Sequence, residues 1–277
     1  MPKWRPLLFL SRVLFLLFLF SCAPSFKINH FRGVAMTMPY HIQLGKLHHS
    51  SKQIEAKITE VFEKVNHCYN HFNPNSELSK LNQAESGVLS NALYELFLLS
   101  DQIYKMTNGV FDPSFGHWKE FVFRGNTIEK GSLTLDFDGI VKGLTVDLLA
   151  SMLSDLGYRN FYVEWAGDLF VKGNHFNGRP WRIAVKKPYS DIPFQIIELK
   201  DRAVATSGNY FHQKIVENAL LTHFFDPKKQ IFLPVTKEIQ SVTVIGPSCA
   251  LADALATALF VDLKKIDLPM EVDLIIQ

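Results

Sequence analysis

A carboxylate and a hydroxyl stand one helical turn apart in the apolar segment Ala250–Phe260. Asp253 and Thr257 occupy positions i and i+4 of a predicted helix, so their oxygens share one face. An acid among small apolar residues costs free energy unless a partner pairs with it. Carboxylate and hydroxyl oxygens suit Mg²⁺, which leaves room for phosphate oxygens. The pattern fits a hard-cation site, and it fits equally an acid that only complements the dipole of its helix.

A second segment, residues 135–147, places acids and glycines between a predicted strand and a predicted helix. The expected strand covers 134–137, the chain turns at Gly139, and the expected helix covers 143–156. Backbone N–H groups at the start of that helix, with the ammonium of Lys142, could face an anion. The spacing matches neither a Walker loop nor a dinucleotide-binding fingerprint, and a purely structural corner explains the segment as well.

Two more segments bring hydroxyl or imidazole groups to predicted strands. Residues 203–208 end in Thr-Ser-Gly, and His223 lies in an apolar strand before the Asp226-Pro227 turn. Each has a structural interpretation, since Asp-Pro commonly starts a turn and a strand histidine is commonly a core residue. The sequence contains no G-x-S-x-G, C-x-x-C or H-E-x-x-H motif, which argues against the corresponding hydrolases and soft-metal sites.

Hydrophobic spacing predicts the elements that must position these groups. One helix is expected over 51–66 with Ser50 or Ser51 as its cap, and another begins at Ser90 and stops at Asn108-Gly109. A final helix is expected over about 248–260. Strands are expected at 34–44, 161–165, 169–172, 181–186, 195–199, 203–206, 220–225 and 241–245.

The order of these elements indicates the fold class. Helices and strands interleave irregularly and several strands follow one another directly, which predicts an α+β, mixed-sheet fold. Of the 277 residues, 47% are hydrophobic and 20% are charged, which excludes a disordered chain. No repeat or Pro/Gly/Ser-rich linker divides the sequence, so we expect one compact unit of one or two lobes.

Charge and cysteine content narrow the function classes further. The net charge of +2 becomes −1 without residues 1–21, which carry three basic residues and no acid. A nearly neutral chain offers no electrostatic case for nucleic acid as a partner. Cys68 and Cys249 have no spacing that indicates pairing, so we expect two buried thiols.

The N-terminus has the pattern of an export signal. Two basic residues precede a short apolar run, and the residues before Cys22 resemble a lipoprotein cleavage site. We expect a signal peptide over 1–21, a lipidated tether over 22–30 and a single domain over 31–277. Lipid on Cys22 would anchor the protein to the bacterial inner membrane on its periplasmic or extracytoplasmic face. An uncleaved N-terminal anchor is the alternative.

Taken in order, the segments over residues 33–261 resemble the ApbE family of Mg²⁺-dependent FAD:protein FMN transferases. The segments that carry the resemblance are Gly33–Met36, Asn75–Asn82, Phe111–Ser114, Asp136–Gly143, Ala203–Gly208, His223–Pro227 and Ala252–Thr257.

The resemblance implies roles for individual residues. Asp253 and Thr257 match the side-chain ligands of Mg²⁺, and Gly139 matches a position whose backbone carbonyl can be a ligand. His223 matches a residue near the FAD phosphates and is the candidate general base. The residues that match FAD-contacting positions are Met36, Phe72, Phe111, Asp112, Asp136, Lys142 and His223.

The resemblance also implies a reaction. FMN would pass from FAD to a Thr or Ser hydroxyl of an acceptor protein, with release of AMP. Family acceptors include subunits of Na⁺-pumping quinone reductases and Rnf-type complexes. The alternatives are a Mg²⁺-dependent FAD pyrophosphatase giving FMN and AMP, and a non-catalytic flavin-binding lipoprotein.

Three positions depart from the family pattern. Thr37 stands where glycine is usual, Asp138 precedes Gly139 where a glycine is commoner, and the segment Lys228-Lys229-Gln230 replaces Arg-Thr-Gly. None of these departures removes an expected metal ligand, although the lost glycine bears on the loop after Pro227.

Overall fold

The computed structural model describes residues 27–190, 192–210, 213–216, 219–264 and 266–277. The predicted signal peptide, the lipidation site Cys22 and the first part of the predicted tether lie outside the described residues. No helix in the described ranges has both the length and the apolar character needed to span a membrane.

The described residues contain five α-helices, a 3₁₀ helix over Trp118–Glu120 and fifteen strands. The helices are α1 (Ser51–Cys68), α2 (Glu77–Gln83), α3 (Asn91–Met106), α4 (Asp138–Asp155) and α5 (Cys249–Val261). The strands are β1 (Asn29–Ala35), β2 (Met38–Leu44), β3 (Ser86–Val88), β4 (Val122–Arg124), β5 (Thr127–Glu129), β6 (Phe161–Trp165), β7 (Asp168–Lys172), β8 (Trp181–Lys186), β9 (Pro193–Leu199), β10 (Arg202–Gly208), β11 (Lys214–Val216), β12 (Ala219–Asp226), β13 (Ile231–Pro234), β14 (Ser241–Gly246) and β15 (Asp273–Ile276).

A seven-stranded sheet in the order β1-β2-β6-β7-β10-β14-β15 is the frame of the molecule. Smaller sheets pair β11-β12-β13, β3-β5-β4 and β8-β9. The α+β class is confirmed, and the described ladders are antiparallel where a mixed sheet was expected.

The two faces of the large sheet are covered by different elements. Helices α1 and α4 pack on β1, β2 and β6, and α5 packs on β10 and β14. Trp181 of β8 and Leu199 of β9 pack against the opposite face. Helix α5 is buried almost all round, as expected of a helix that is apolar on every side. Any polar group on α5 therefore needs a partner within the protein.

Helix starts follow their capping signals. Ser50 and Gln53 form a capping box at the start of α1, and the Ser90 hydroxyl accepts a hydrogen bond from the Leu93 N–H at the start of α3. The chain leaves α3 through Asn108 and Gly109, which both have positive φ, as predicted. The helices expected at 51–66 and 248–260 are confirmed as α1 and α5.

Two expectations were wrong. The strand expected over 34–44 is a hairpin, because Met36 and Thr37 adopt positive φ and turn β1 back onto β2. Residues 134–137 form no strand, and α4 begins at Asp138 rather than at Gly143. The glycine at 143 is an interior helix residue, and its absent side chain has a packing role described below.

Candidate functional site

The carboxylate of Asp253 lies between α5 and α4, and the residue as a whole is 2% exposed. Lys142 Nζ donates a hydrogen bond of 2.7 Å to Asp253 Oδ1. The backbone N–H of Gly143 donates a 3.0 Å hydrogen bond to Asp253 Oδ2. Each oxygen of this buried acid therefore has a partner on α4, which removes the penalty that its apolar helix would otherwise impose.

Close packing of α4 against α5 depends on Gly143. A Cβ at that position would lie 2.2 Å from the carbonyl oxygen of Cys249, closer than any real contact. One turn further along α4, the carboxylate of Asp147 accepts hydrogen bonds of 2.8 and 2.9 Å from the N–H groups of Cys249 and Ala250. A side chain of one helix thus binds the N-terminus of the other, in addition to the local cap at Ser248.

The negative charge on Asp147 is unfavourable in this buried contact. Burial raises the pKa of Asp147 to about 6, although the two N–H groups that it binds act in the opposite direction. The carboxylate keeps its place because unsatisfied N–H groups at a buried helix start would cost more.

Thr257 and Gly139 complete a set of oxygen donors beside Asp253. Thr257 lies one turn after Asp253 on α5, and its Oγ1 is 3.4 Å from Ser207 Oγ. A Cβ built on Gly139 would come within 3.2 Å of Thr257 Oγ1 and 3.5 Å of Phe111 Cε2, so the first turn of α4 leaves a small cradle here. Carboxylate, hydroxyl and carbonyl oxygens are the donors that Mg²⁺ prefers, and the residues fit that ion.

Asp168 adds a second buried carboxylate at the same place. It begins β7 and is 2% exposed, and its Oδ2 is 3.2 Å from Lys142 Nζ. Burial opposes the charge on Lys142, but the carboxylates of Asp168 and Asp253 outweigh it and hold the pKa of Lys142 above its ordinary value. Burial raises the pKa of Asp168, although Lys142 acts in the opposite direction. When both acids are ionised, one ammonium faces two carboxylates, and a divalent cation would offset the excess of negative charge.

A cavity of about 450 Å³ opens beside the first turn of α4. His71, Phe72 and Asp136 lie in its wall, and Phe72 is 76% exposed.

His71 in this wall is close to two acids. His71 Nδ1 is 3.3 Å from Asp138 Oδ1 and 3.9 Å from Asp136 Oδ1. The close contact with Asp138 raises the pKa of His71 against the effect of burial, and burial raises the pKa of Asp136. An aromatic ring and ionisable groups thus share one opening. The full lining is His71, Phe72, Pro74, Ser79, Asn82, Gln83, Phe115, Thr134, Leu135 and Asp136.

A loop that starts at Asp112 reaches the cavity wall through Phe115. Its carboxylate accepts hydrogen bonds from Ser114 N–H at 2.8 Å and from Ser114 Oγ, and burial raises its pKa. The N–H of Asp136 donates a 2.8 Å hydrogen bond to the carbonyl of Pro113, which ties the loop to the segment before α4.

Gln230, which replaces the glycine of the family pattern, makes hydrogen bonds to the same loop. Gln230 has a φ of 59° where the family pattern places glycine, and the loop keeps a left-handed residue there. Its side-chain amide donates hydrogen bonds of 2.8 Å to the carbonyls of Phe115 and Pro227.

Met36 and His223 are not among the residues that line this cavity. Met36 lies in the β1–β2 turn and packs partly buried against the helical and sheet cores. Phe224 stacks on Phe260 of α5 with ring centroids 4.2 Å apart, so β12 rests on α5. Alternation along the strand turns the exposed His223 to the other side of β12. Its ring centroid is 4.1 Å from that of Phe224, and the two ring planes are tilted by 36°.

The structure thus brings together most of the residues that the sequence singled out. Asp253, Thr257, Gly139, Lys142 and Phe111 surround one point, and Phe72, Asp136 and the Asp112 loop surround the adjoining cavity.

Three groups at the site were missed by the sequence interpretation. Asp168 follows a two-residue turn, Ala166-Gly167, with positive φ at both residues, so an acid at the start of a buried strand was a usable signal. Asp147 is an acid inside an apolar helix, which was a signal of the same kind. Nothing in the sequence around His71 indicated a place in the site, apart from its position next to Phe72.

Comparison with known proteins gives a consistent family match. A model of the ApbE family matches residues 36–127 and 117–267. An FAD:protein FMN transferase of Chlamydia pneumoniae is 34% identical over 292 residues, covering 92% of this chain and 91% of that protein. An FAD:protein FMN transferase of Vibrio cholerae is 30% identical over 287 residues, covering 89% and 85%.

Solved structures agree with the sequence match. The flavin transferase ApbE from Vibrio cholerae has a TM-score of 0.76 and 25% identity, and the match covers 91% of this chain and 97% of that chain. The ApbE protein from Thermotoga maritima has a TM-score of 0.80 and 25% identity, with coverage of 90% and 94%.

Proposed function

Because this chain belongs to the ApbE family of flavin transferases, we propose that it moves FMN from FAD to a Thr or Ser hydroxyl of an acceptor protein and releases AMP. The observation that carries the proposal is the donor set of Asp253, Thr257 and Gly139, which lies beside a cavity with an exposed aromatic ring.

Asp253 and Thr257 would hold Mg²⁺ together with the carbonyl of Gly139. The ion would neutralise charge on the diphosphate of FAD, which is the main electrostatic demand of such a transfer. The fit rests on donor chemistry and on the excess of buried negative charge beside Lys142.

FAD would occupy the cavity beside α4 as substrate. Phe72 offers a ring face for stacking, and Phe111 and the Asp112 loop form the wall toward Thr257. Asp136 and Lys142 supply polar groups on the same side. This arrangement would hold the diphosphate against the metal ligands while the rest of the substrate fills the opening.

The proposed step forms one phosphorus–oxygen bond and breaks another. The acceptor hydroxyl oxygen forms a bond to the FMN-side phosphorus, and the bond from that phosphorus to the bridging oxygen breaks. The electron pair leaves with AMP. His223 would take the hydroxyl proton, since an imidazole titrates near neutral pH and its exposed position on β12 is open to an approaching protein.

Hydrolysis of FAD to FMN and AMP is the second candidate. The exposure of His223 favours it, because water can reach the same base when no acceptor is present. The two reactions share every residue named above and differ only in the nucleophile.

Analysis of the products distinguishes FMN transfer from FAD hydrolysis and from flavin binding without reaction. Protein beginning at Ser25 would be incubated with FAD, Mg²⁺ and a Thr-containing acceptor peptide, followed by intact-mass measurement of the peptide and chromatography for AMP. We expect an FMN-sized mass gain together with AMP. AMP and free FMN without labelled peptide would favour the pyrophosphatase, and bound FAD with neither product would favour a flavin carrier.

The predicted lipidation site at Cys22 bears on where the protein acts. We propose that Cys22 carries the lipid that places the catalytic domain on the extracytoplasmic face of the inner membrane, near acceptors such as quinone-reductase or Rnf-type subunits. Mass analysis of the N-terminal peptide from the membrane fraction would test this, and an unmodified Cys22 in the mature protein would contradict it.

A further inference from the structure

Lys142 is shared between two buried carboxylates, and only one of them has a part in the proposed metal site. Its Nζ is 2.7 Å from Asp253 Oδ1 and 3.2 Å from Asp168 Oδ2. Both carboxylate side chains are 3% exposed. An ammonium that paired with Asp253 alone would neutralise the charge with which Asp253 attracts a cation.

Asp168 is held independently of this contact. It begins β7 directly after Ala166 and Gly167, whose φ angles are 55° and 94°, and its Oδ1 faces the Thr206 N–H at 3.4 Å. Lys142 is its ion-pair partner within the part of the chain described here. The carboxylate of Asp168 therefore lies beside Lys142 despite two unfavourable features, the left-handed backbone of Ala166 and the burial of an acid.

We propose that Asp168 is a positioning residue of the metal site: its carboxylate gives the ammonium of Lys142 a second partner, to which the ammonium moves when Asp253 binds a divalent cation. The inference rests on the proposed metal site and deepens it by naming the group that regulates its affinity. Asp168 itself donates no ligand atom in this scheme and acts only through Lys142.

The consequence is a specific coupling between Asp168 and Lys142. In Asp168→Asn the amide still accepts from Thr206 but offers the ammonium no second carboxylate, so Lys142 stays paired with Asp253 and the cation binds less tightly. When Lys142 is already absent, the same substitution has no ammonium to release, and its effect on metal affinity should disappear.

A double-mutant cycle on metal binding tests this coupling. Mn²⁺ binding to the FAD-free protein at constant pH would be measured from the free-ion electron paramagnetic resonance signal for wild type, Asp168→Asn, Lys142→Met and the double variant. Glu164→Gln is the matched control, since it makes the same acid-to-amide change on the neighbouring strand, where the carboxylate contacts Tyr162. Asp168→Ser and Lys142→Gln repeat the cycle with different side chains, and thermal unfolding shows that each variant is folded.

We expect Asp168→Asn to raise the Mn²⁺ dissociation constant about ten- to a hundredfold in the wild-type background. In the Lys142→Met background the same change should alter it by less than about twofold. An equal loss in both backgrounds would overturn the inference while leaving the metal site and FMN transfer intact. Failure of the wild type to bind Mn²⁺ would remove the metal site and, with it, this inference.

Discussion

The chemistry of the site depends on a few side chains whose partners define what each can do. Asp253 is buried and bonded at both oxygens, Lys142 is divided between two carboxylates, and Thr257 presents its hydroxyl beside the first turn of α4. Sequence spacing predicted the Asp253–Thr257 face correctly. It gave no sign that the ammonium of Lys142 would pair with Asp253, because the two residues are 111 positions apart.

Removal of the Thr257 hydroxyl tests its role as a ligand. Thr257→Val keeps the shape of the side chain but removes the oxygen, so we expect the Mg²⁺ concentration for half-maximal transfer to rise about tenfold or more. Thr257→Ser keeps the oxygen and should remain near wild type. Equal Mg²⁺ requirements in Thr257→Val and wild type would contradict the assignment.

The pH dependence of stability tests the Asp147 contact. Because the pKa of Asp147 rises from 3.8 to about 6 on folding, the native state binds a proton between about pH 6 and pH 4 that the unfolded chain does not. The charged carboxylate therefore costs stability at pH 7, on the order of 2–3 kcal/mol, and this cost is relieved as the pH falls toward 4.

Denaturant unfolding of wild type and Asp147→Asn across pH 4–7 measures this directly. Asn does not titrate, so the difference in unfolding free energy should shift in favour of wild type as the pH falls. A difference that stays constant over this range would show that Asp147 has an ordinary pKa.

At the scale of elements, the site is a product of the contact between α4 and α5. Gly143 allows their backbones to approach, and Asp147 and Lys142 connect α4 to the start and middle of α5. The two helices were predicted individually from hydrophobic spacing and capping. Their contact was not, because Gly139 was interpreted as a turn residue and Gly143 as the start of a helix, and neither position indicated a close approach to another helix.

A methyl group at position 143 should separate the helices. Gly143→Ala puts a Cβ against the Cys249 carbonyl, and we expect a loss of about 1–3 kcal/mol in unfolding free energy or more. Mg²⁺-dependent transfer should fall as well, since the Gly143 N–H positions Asp253. Ser151→Ala, on an exposed position of the same helix, is the control and should stay within about 0.5 kcal/mol. Wild-type stability in Gly143→Ala would refute the close-approach argument.

At the scale of the whole molecule, the site gathers segments from most of the chain onto one side of a large antiparallel sheet. The α+β class, the strands β6, β7, β8 and β14, and the helices α1, α3 and α5 follow from local patterns. Short strands such as β3, β4, β5 and β11 were not predicted, because three residues are too few to show alternation. Strand order and the cavity depend on contacts between distant segments, which no local pattern contains.

His223 tests whether the exposed face of β12 belongs to the working surface. His223→Ala should slow transfer about 10²- to 10⁴-fold while FAD stays bound, since a general base contributes on that scale. His67→Ala, on an exposed position of α1, is the matched control. An unchanged transfer rate in His223→Ala would remove it as the base and leave the metal site untouched.

The most direct test of the account compares FMN labelling of an acceptor peptide by wild type, Asp253→Asn and Asp273→Asn over a range of Mg²⁺ concentrations. Asp273 is an exposed aspartate whose carboxylate pairs with Arg202, so it controls for the substitution itself. We predict Mg²⁺-dependent labelling by wild type and Asp273→Asn, and none by Asp253→Asn. Labelling by Asp253→Asn at the wild-type rate and with the wild-type Mg²⁺ dependence would contradict the central claim that this buried carboxylate holds the metal for FMN transfer.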